Sequence, residues 1–357
     1  MSRSSALGSW PGHDDNMVRE AVHIVRDLLT DQSRTGRPGV PYLPELPGRG
    51  PGADMIGRTA ALLVDMPVDL QPSGWRIVDR PGRDHSRARG YLRNDLDELA
   101  EAFDGYHGIL KLQVAGPWTL AAELRVHRGE RTIVDPGACR DVAASLAAGI
   151  EEHLADVRRL LPGADLVVQV DEPLLPAVLA GSLPTSSGFG RLRAIDPEEV
   201  RRQLAEVIDV VRRERSPRRT ADAGRENATE PATGGVLVHC CADRVPVPLL
   251  RQAGADALAV DISRLGVRGW ESVAEAVEDG MEFWAGVPVL PGESPTAQTL
   301  ADPVRTAWRE LGLERRLLDQ VVLAPACGLA GHSPAEAVAV HRRLVEAAAE
   351  LAEEAER

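Results

Sequence analysis

Four side chains that can bind a metal ion follow apolar segments of the sequence. They are His239, Cys241, Asp261 and Cys327. Imidazole nitrogens, thiolates and carboxylates are the ligands that zinc takes in proteins. If the apolar segments are neighbouring parallel strands, their carboxyl ends meet at one rim of the sheet, where functional residues collect. The sequence therefore predicts a zinc (Zn2+) site of His239, Cys241 and Cys327, with Asp261 as a weaker candidate for the fourth ligand.

Each of these residues also has an ordinary structural interpretation. A cysteine inside a protein most often packs as a small apolar side chain. Because side chains alternate along a strand, Cys240 is predicted to pack on the opposite side from Cys241. Asp261 could instead cap the segment that follows it, a role that Ser263 could also fill. A redox pair of Cys240 and Cys241 is a further alternative, although a disulfide between neighbouring cysteines would be strained.

The ligand set indicates what the zinc would do. Two anionic sulfurs and a carboxylate leave the metal electron-rich, which makes it a poor generator of hydroxide. Such a zinc still binds an incoming thiol, lowers the pKa of that thiol and holds it as a nucleophilic thiolate. A weakly held oxygen ligand such as Asp261 would provide the exchangeable position. The predicted chemistry is therefore activation of a thiol.

Three further motifs carry groups that could bind a substrate. Asp171 and Glu172 follow an apolar segment. They form either an anionic anchor for an ammonium group or the acidic first turn of a helix. Residues 8–10 (Gly-Ser-Trp) offer backbone N–H groups for a carboxylate, or form a plain turn. Residues 116–119 (Gly-Pro-Trp-Thr) are either a pocket wall or a simple helix start.

The elements that would carry these side chains alternate between strand and helix. Strands are predicted near residues 7, 43, 110, 168, 237, 258, 286 and 322, of which the second is the weakest. This alternation predicts an α/β fold, a (β/α)8 TIM barrel that forms a single domain over residues 1–357. A doubly wound parallel sheet is the alternative, but no glycine-rich dinucleotide loop follows the first strand. The polar, aperiodic stretch near residues 214–235 is predicted to be a mobile insertion.

Composition narrows the class of protein. A net charge of -13 leaves no surplus of basic side chains for nucleic-acid phosphates. No apolar run approaches the roughly 20 residues that span a membrane, and the amino terminus lacks the apolar core of a signal peptide. The 4 cysteines, two of them adjacent and one at a predicted strand end, fit ligands or reduced thiols rather than a disulfide framework. We therefore expect a cytoplasmic protein with no nucleic-acid or membrane partner.

Several of these motifs together resemble a known family. The candidate zinc motifs, with those at 8–11, 116–119 and 169–173, are similar to motifs of cobalamin-independent methionine synthase, in its catalytic half. The zinc motifs are His239-x-Cys241, the segment 259–264 around Asp261, and the segment 325–329 around Cys327. Their order and approximate spacing match along essentially the whole chain. Each motif is short, so the resemblance rests on their combination.

The resemblance implies a barrel of the kind shared with uroporphyrinogen decarboxylase. It also implies transfer of a methyl group to homocysteine, bound to zinc through its sulfur, to give methionine. The zinc ligands would be His239, Cys241 and Cys327. Asp171 would bind the amino group of the amino acid, the backbone of Ser9 would meet its carboxylate, and Trp118 would contact the substrate as part of the pocket wall.

The sequence departs from the family pattern in three ways. The family's zinc-binding glutamate is replaced by Asp261, which is one methylene shorter. A histidine that assists catalysis in the family corresponds to Glu293, which makes Glu293 the candidate catalytic residue. The amino-terminal half of the long enzyme, which helps to bind folate, has no counterpart, so the expected methyl donor is either methyltetrahydrofolate or a methylated corrinoid protein. The position of the second carboxylate for the amino group is open, with Glu45 as a guess.

Two other functions are compatible with the same residues. A barrel of this kind could bind a thiol or an amino acid without catalysis, around a structural zinc. It could also be a decarboxylase like the uroporphyrinogen enzymes, although that chemistry calls for basic side chains at the strand ends. Acids and thiols occupy those positions here.

Overall fold

The computed structural model describes residues 2–33, 36, 38–126, 129–214 and 235–357. The insertion predicted near residues 214–235 lies, except for its two end residues, outside the described residues. In the described part of the chain, no helix is both long and apolar enough to cross a membrane.

Strands of this chain form two sheets among the described residues. The strands are β1 (Arg3–Ser4), β2 (Val68–Gln71), β3 (Gly74–Ile77), β4 (Gly108–Ala115), β5 (Ala164–Asp171), β6 (Val236–Cys240), β7 (Ala257–Asp261), β8 (Glu282–Val287) and β9 (Val321–Pro325). The main sheet has 7 strands in the order β1-β9-β8-β7-β6-β5-β4, and every neighbouring pair is parallel. β2 and β3 form a separate antiparallel hairpin that the sequence analysis did not anticipate. The main sheet curls into a half-barrel, which is consistent with a barrel of the TIM type.

Helices alternate with the strands of the main sheet and cover its outer face. They are α1 (Asn16–Thr30), α2 (Met55–Ala60), α3 (Arg83–Ala102), α4 (Pro117–Glu123), α5 (Pro136–Leu160), α6 (Leu175–Ala180), α7 (Pro197–Arg213), α8 (Val247–Gln252), α9 (Val267–Glu278), α10 (Ala297–Leu311) and α11 (Pro334–Ala355). α1 buries Val18, Val22, Val25 and Leu29, as their spacing of three and four predicts. The apolar stripe of α1 therefore packs in the core, as its sequence predicts.

The predicted second strand is present only as isolated pairings. The amide of Val40 donates to Ser4 O at 2.8 Å, and the amide of Leu43 donates to Lys111 O at 3.1 Å. The segment between them thus contacts both edge strands of the main sheet. Pro41 and Pro44 lack an amide hydrogen, which explains why no continuous ladder forms here. Closure into a complete eight-stranded barrel stays a prediction.

The two faces of the main sheet pack differently. A large apolar cluster fills the space between the sheet and the helices and includes Val236 and Val238. A smaller cluster lies on the opposite, inner face and includes Leu237, Ala259 and Val322. Since side chains alternate along a strand, residues of odd number in β6 point to the inner face. This alternation directs His239 toward the inside of the curl.

Candidate metal and substrate site

His239 is the best-defined residue of the candidate site. It lies near the end of β6, in register with Asp171 at the end of β5. The Nδ1 atom of His239 is 2.6 Å from Asp171 Oδ1, and both side chains are almost fully buried. The other ring nitrogen, Nε2, is buried without a hydrogen-bond partner among the described residues. A histidine held at one nitrogen by a carboxylate, with the other nitrogen left over, is the usual state of a metal ligand.

The sulfur atoms of Cys241 and Cys327 interact at the same rim of the sheet. Hydrogen bonding from Cys241 lowers the pKa of Cys327 to about 6, helped by the backbone N–H of Gly328 and by the nearby imidazole of His239. The same contact, together with burial, raises the pKa of Cys241. One of the two sulfurs is therefore stabilised as a thiolate. Cys240 is fully buried in the apolar environment expected for it.

Asp261 ends β7 and makes contacts within its own loop. Its Oδ1 accepts from the backbone N–H of Ser263 at 3.0 Å and from the Ser263 hydroxyl at 2.6 Å. Its Oδ2 accepts from Arg264 Nε at 3.1 Å. The carboxylate thus caps the short 3-10 turn over residues 262–264, which is the structural role considered for it above.

The donor types at this rim fit zinc, but they are not assembled around one point. Among the described residues, no group of three or more His, Cys, Asp and Glu side chains is arranged to hold a metal ion. The orphaned Nε2 of His239 and the paired sulfurs of Cys241 and Cys327 are nevertheless the atoms that a tetrahedral zinc would take. Zinc binding therefore stays a prediction, and it requires these side chains to rearrange.

The loop that carries Ser9 packs directly on the loop that carries Cys327. The amide of Leu329 donates to Ser9 O at 3.0 Å, and the amide of Ala330 donates to Ser9 Oγ at 3.3 Å. A side chain at Gly328 would overlap Ser9, because an added Cβ would lie 2.9 Å from Ser9 Cβ and still closer to Ser9 Oγ. The glycine after Cys327 is thus required by this close approach.

Glu45, which the sequence analysis offered only as a guess, is brought to the candidate substrate site. Its backbone pairs with Ser9 in a parallel bridge. Its side chain is 7% exposed and lies 3.5 Å from Arg58 Nε, measured from Glu45 Oε1. Burial raises the pKa of Glu45, Arg58 opposes this effect, and the charge of Asp171 raises the pKa further. Glu45 and Asp171 therefore form a pair of nearby carboxylates on the inner face.

Two further polar residues are linked to this pair. The sequence analysis did not single out Lys111, and it included Gln169 in the motif at 169–173 without giving it a role. Lys111 on β4 is fully buried, and its Nζ donates to Gln169 Oε1 at 2.8 Å. Gln169 on β5 in turn donates from Nε2 to Asp171 Oδ1 at 2.7 Å. Burial lowers the pKa of Lys111 to about 8, against the opposing charges of Asp171 and Glu45. Polar residues among the apolar ones of both strands were the only signal in the sequence.

Hydrogen bonds connect the start of α4, where Trp118 lies, with Glu172, which directly follows β5. Trp118 is 1% exposed, and its indole N–H donates to Val200 O of α7 at 3.0 Å. Glu172 accepts from the backbone N–H groups of Trp118 and Thr119 at 2.9 and 2.8 Å. Burial raises the pKa of Glu172 to about 7 against these hydrogen bonds. In these contacts residues 116–119 act as a helix start, and contact of Trp118 with a substrate stays a prediction.

Glu293 lies on the exposed loop between β8 and α10. Its Oε2 accepts from the backbone N–H of Leu290 at 2.8 Å, within the same loop. Among the described residues, no recorded contact joins Glu293 to His239, Cys241 or Cys327. Its catalytic role stays a prediction.

Comparison with known proteins identifies a similar fold. No protein-family model matches the sequence, and no curated protein matches it. A solved structure that is similar is a B12-independent methionine synthase from Shewanella sp. W3-18-1, in complex with selenomethionine. The match covers 99% of this chain and 98% of that one, with a TM-score of 0.58 and 14% sequence identity. The chain therefore shares the fold of that methionine synthase from end to end, as a distant structural relative.

Proposed function

We propose that the protein is a zinc-dependent methyltransferase that transfers a methyl group to a thiol, with homocysteine as acceptor and methionine as product. The observation that carries this proposal is His239, which is oriented at Nδ1 by Asp171 and keeps a buried, unpartnered Nε2 beside two interacting cysteines. The end-to-end likeness to a methionine synthase supports it at the level of the fold.

The metal would be held by His239, Cys241 and Cys327, with Asp261 as the fourth ligand. When bound, zinc supplies a positive charge that keeps the acceptor sulfur as a thiolate at neutral pH. Asp261 would leave its contacts with Ser263 and return to them when the acceptor thiol takes its place. The proposed exchange therefore requires Asp261 to give up these contacts.

The amino-acid part of the acceptor would lie on the inner face of the sheet. Its ammonium group would lie near Glu45 and Asp171, two buried carboxylates that could accept charge-assisted hydrogen bonds from it. The backbone around Ser9 would meet its carboxylate. Glu293 would act as an acid or base from the loop after β8, and Trp118 would support the pocket wall.

The methyl donor is either methyltetrahydrofolate or a methylated corrinoid protein. A panel of these donors, with homocysteine as acceptor and methionine formation as readout, tests the activity directly. We expect transfer from one of them by the wild-type protein. Absence of transfer from every donor to a zinc-loaded protein would contradict the proposed reaction.

Metal content tests the site separately from the reaction. We expect close to one zinc per chain in the wild-type protein, and loss of that zinc in Cys241→Ser and in Cys327→Ser. Cys139→Ser is the matched control, because Cys139 is a buried cysteine on α5. Elemental analysis of purified protein gives the readout. A wild-type protein that folds and transfers methyl groups without metal would overturn the zinc assignment.

A non-catalytic thiol-binding barrel is the second candidate, and the engagement of Asp261 by its own loop favours it. In that case the metal coordination would not change when a thiol is added. X-ray absorption of the zinc protein, with and without homocysteine, separates the two functions. The methyltransferase exchanges an oxygen ligand for sulfur, whereas the binding protein keeps its ligands.

A further inference from the structure

A continuous chain of hydrogen bonds runs from the interior of the sheet to His239. Lys111 Nζ donates to Gln169 Oε1 at 2.8 Å, and Gln169 Nε2 donates to Asp171 Oδ1 at 2.7 Å. Asp171 Oδ1 is also 2.6 Å from His239 Nδ1. These four side chains come from three adjacent strands, β4, β5 and β6, and all of them are buried.

The chemistry of the first group fixes the direction of every bond that follows. A lysine side chain donates and cannot accept when protonated, so the oxygen of Gln169 must face Lys111. The amide nitrogen of Gln169 then faces Asp171 and also donates to Leu7 O at 2.7 Å. An ionised aspartate only accepts, so His239 must carry its proton on Nδ1. The lone pair of neutral His239 is thereby placed on Nε2, the atom without a partner.

We propose that Lys111 and Gln169 are positioning residues that hold Asp171 with Oδ1 toward His239, which keeps His239 in the tautomer with a free Nε2 lone pair and reserves Asp171 Oδ2 for the substrate. The proposal rests on the proposed function, because it names what prepares that site. Both bonds to Asp171 use Oδ1, and among the described residues no hydrogen bond is recorded at Oδ2. Neither Lys111 nor Gln169 needs to contact the acceptor.

Burial of these two residues is difficult to explain as packing alone. A buried lysine loses its hydration, and an apolar side chain would fill the same space without that cost. Elsewhere on the inner face, Val167, Leu237 and Val322 do fill space in this way. We therefore attribute the burial of Lys111 and Gln169 to the hydrogen bonds that they direct toward Asp171 and His239.

The test measures the tautomer of His239 in metal-free protein by nitrogen-15 NMR of its imidazole. The spectra are recorded at about pH 7, above the ordinary histidine pKa of about 6.5 and below the pKa of Lys111, which burial lowers to about 8. In the wild-type protein we expect a protonated Nδ1 and an unprotonated Nε2. In Lys111→Met and Gln169→Glu we expect a mixture of the two tautomers. The glutamate keeps the size of Gln169 and an acceptor for Lys111, but it has no N–H for Asp171.

Gln203→Leu is the matched control. Gln203 is a buried glutamine of α7 that donates to Glu199, and it has no bond to Lys111, Gln169, Asp171 or His239 among the described residues. This variant should leave the tautomer of His239 unchanged. The second readout is zinc affinity, measured by competition with a chelator. We expect this affinity to fall about 10–100-fold in Lys111→Met and in Gln169→Glu. Unfolding transitions of each variant show whether it is folded, and Gln169→Glu preserves the shape of the site if Lys111→Met does not fold.

The outcomes separate this inference from the proposed function. A wild-type tautomer in folded Lys111→Met and Gln169→Glu overturns the positioning role, whatever the activity. A changed tautomer in both variants supports that role even if the wild-type protein binds no zinc and transfers no methyl group, in which case only the proposed function fails. A wild-type His239 with its proton on Nε2 also overturns the inference.

Discussion

Two carboxylates from distant parts of the sequence, Glu45 and Asp171, are the groups that we propose for binding an ammonium group. Glu45 is buried beside Arg58, whose charge favours the ionised form of Glu45. Arg58 is itself bound by buried Asp95, which also pairs with Arg49. Arg58 is thus held in place from the side away from the site. At the scale of single residues, we expect Glu45 to act in the proposed binding of the ammonium group and not in methyl transfer.

Glu45→Gln tests this assignment. The amide keeps the size of the side chain but loses its charge, and a hydrogen bond to a charged group contributes roughly 1.5–3 kcal/mol. We expect KM for homocysteine to rise roughly 10-fold or more, with little change in kcat. The control is an acceptor that lacks the amino group, whose kinetics should be the same for both proteins. An equal effect on both acceptors would contradict a contact with the ammonium group.

Arg264 offers a test of whether Asp261 is a cap or a ligand. Arg264 holds Asp261 Oδ2 and is itself half exposed, so removing it releases the carboxylate at little cost in stability. If Asp261 binds zinc, Arg264→Ala should raise the zinc affinity about 2–5-fold, which chelator competition measures. Arg251→Ala, which breaks a surface ion pair with Asp279, should have no such effect. An unchanged affinity in Arg264→Ala would leave Asp261 with its capping role alone.

At the scale of elements, the loop that carries Ser9, after β1, contacts the loop that carries Cys327, after β9. β1 and β9 are neighbours in the main sheet although they lie at opposite ends of the sequence. Gly328→Ala would force these loops apart, because the added methyl group overlaps Ser9. We expect a loss of roughly 1–3 kcal/mol in the free energy of unfolding, together with weaker zinc binding. Chemical denaturation and metal analysis provide the measurements.

The double variant Gly328→Ala with Ser9→Gly should recover part of the lost stability, because the overlapping side chain is gone. Coupling between the two substitutions in a double-mutant cycle is the specific signature of this contact. Gly331→Ala is the control, since a Cβ there would meet only Pro291 Cγ at 4.0 Å. Additive effects of the two substitutions would show that the loops do not meet in this way.

The buried contact between His341 of α11 and Tyr42 predicts that the stability of the protein depends on pH. His341 of α11 is fully buried, and its Nε2 is 3.1 Å from the hydroxyl of Tyr42. Burial lowers the pKa of His341 from 6.5 to about 4, although a hydrogen bond with Ala337 O acts in the opposite sense. Between these two values the unfolded chain binds a proton that the folded chain does not. The free energy of unfolding should therefore decrease as the pH falls from about 6.5 to about 4.

His341→Gln should remove one proton from this dependence, which is a change in slope of at most about 1.4 kcal/mol per pH unit. Urea unfolding at a series of pH values measures it. Val340→Ala, a buried truncation on the same helix, should lower stability at every pH without changing the slope. A slope for His341→Gln equal to that of the wild-type protein would show that His341 titrates alike in both states.

At the scale of the whole molecule, the segment from Val40 to Glu45 decides whether the barrel is closed. Its amides bond to both edge strands, which predicts exchange with solvent as slow as that of β4. Hydrogen exchange of the peptide covering this segment provides the test. The exposed loop around Phe189 should exchange quickly in the same experiment. Exchange of residues 40–45 at the rate of that loop would mean that the half-barrel is open at this position.

Local signals in the sequence determined most of the elements and the order of the candidate ligands. Asp196 followed by Pro197 predicts a helix start, and Asp196 does cap α7 through the N–H groups of Glu198 and Glu199. The apolar segment before His239 becomes β6, because a strand that is buried on both faces of a parallel sheet has a continuous apolar run as its sequence pattern. Such features depend on residues within one turn or one strand, and a single sequence contains them.

Only the tertiary structure decided which polar residues meet inside the sheet. Lys111 and Gln169 are 58 residues apart, and Asp171 and His239 are 68 apart. Alternation predicts which face each of them occupies, but their meeting depends on the register between strands and on the direction of each hydrogen bond. The same holds for Glu45, whose segment joins two strand edges without forming a strand. Contacts of this kind arise from packing between distant segments, which no local pattern encodes.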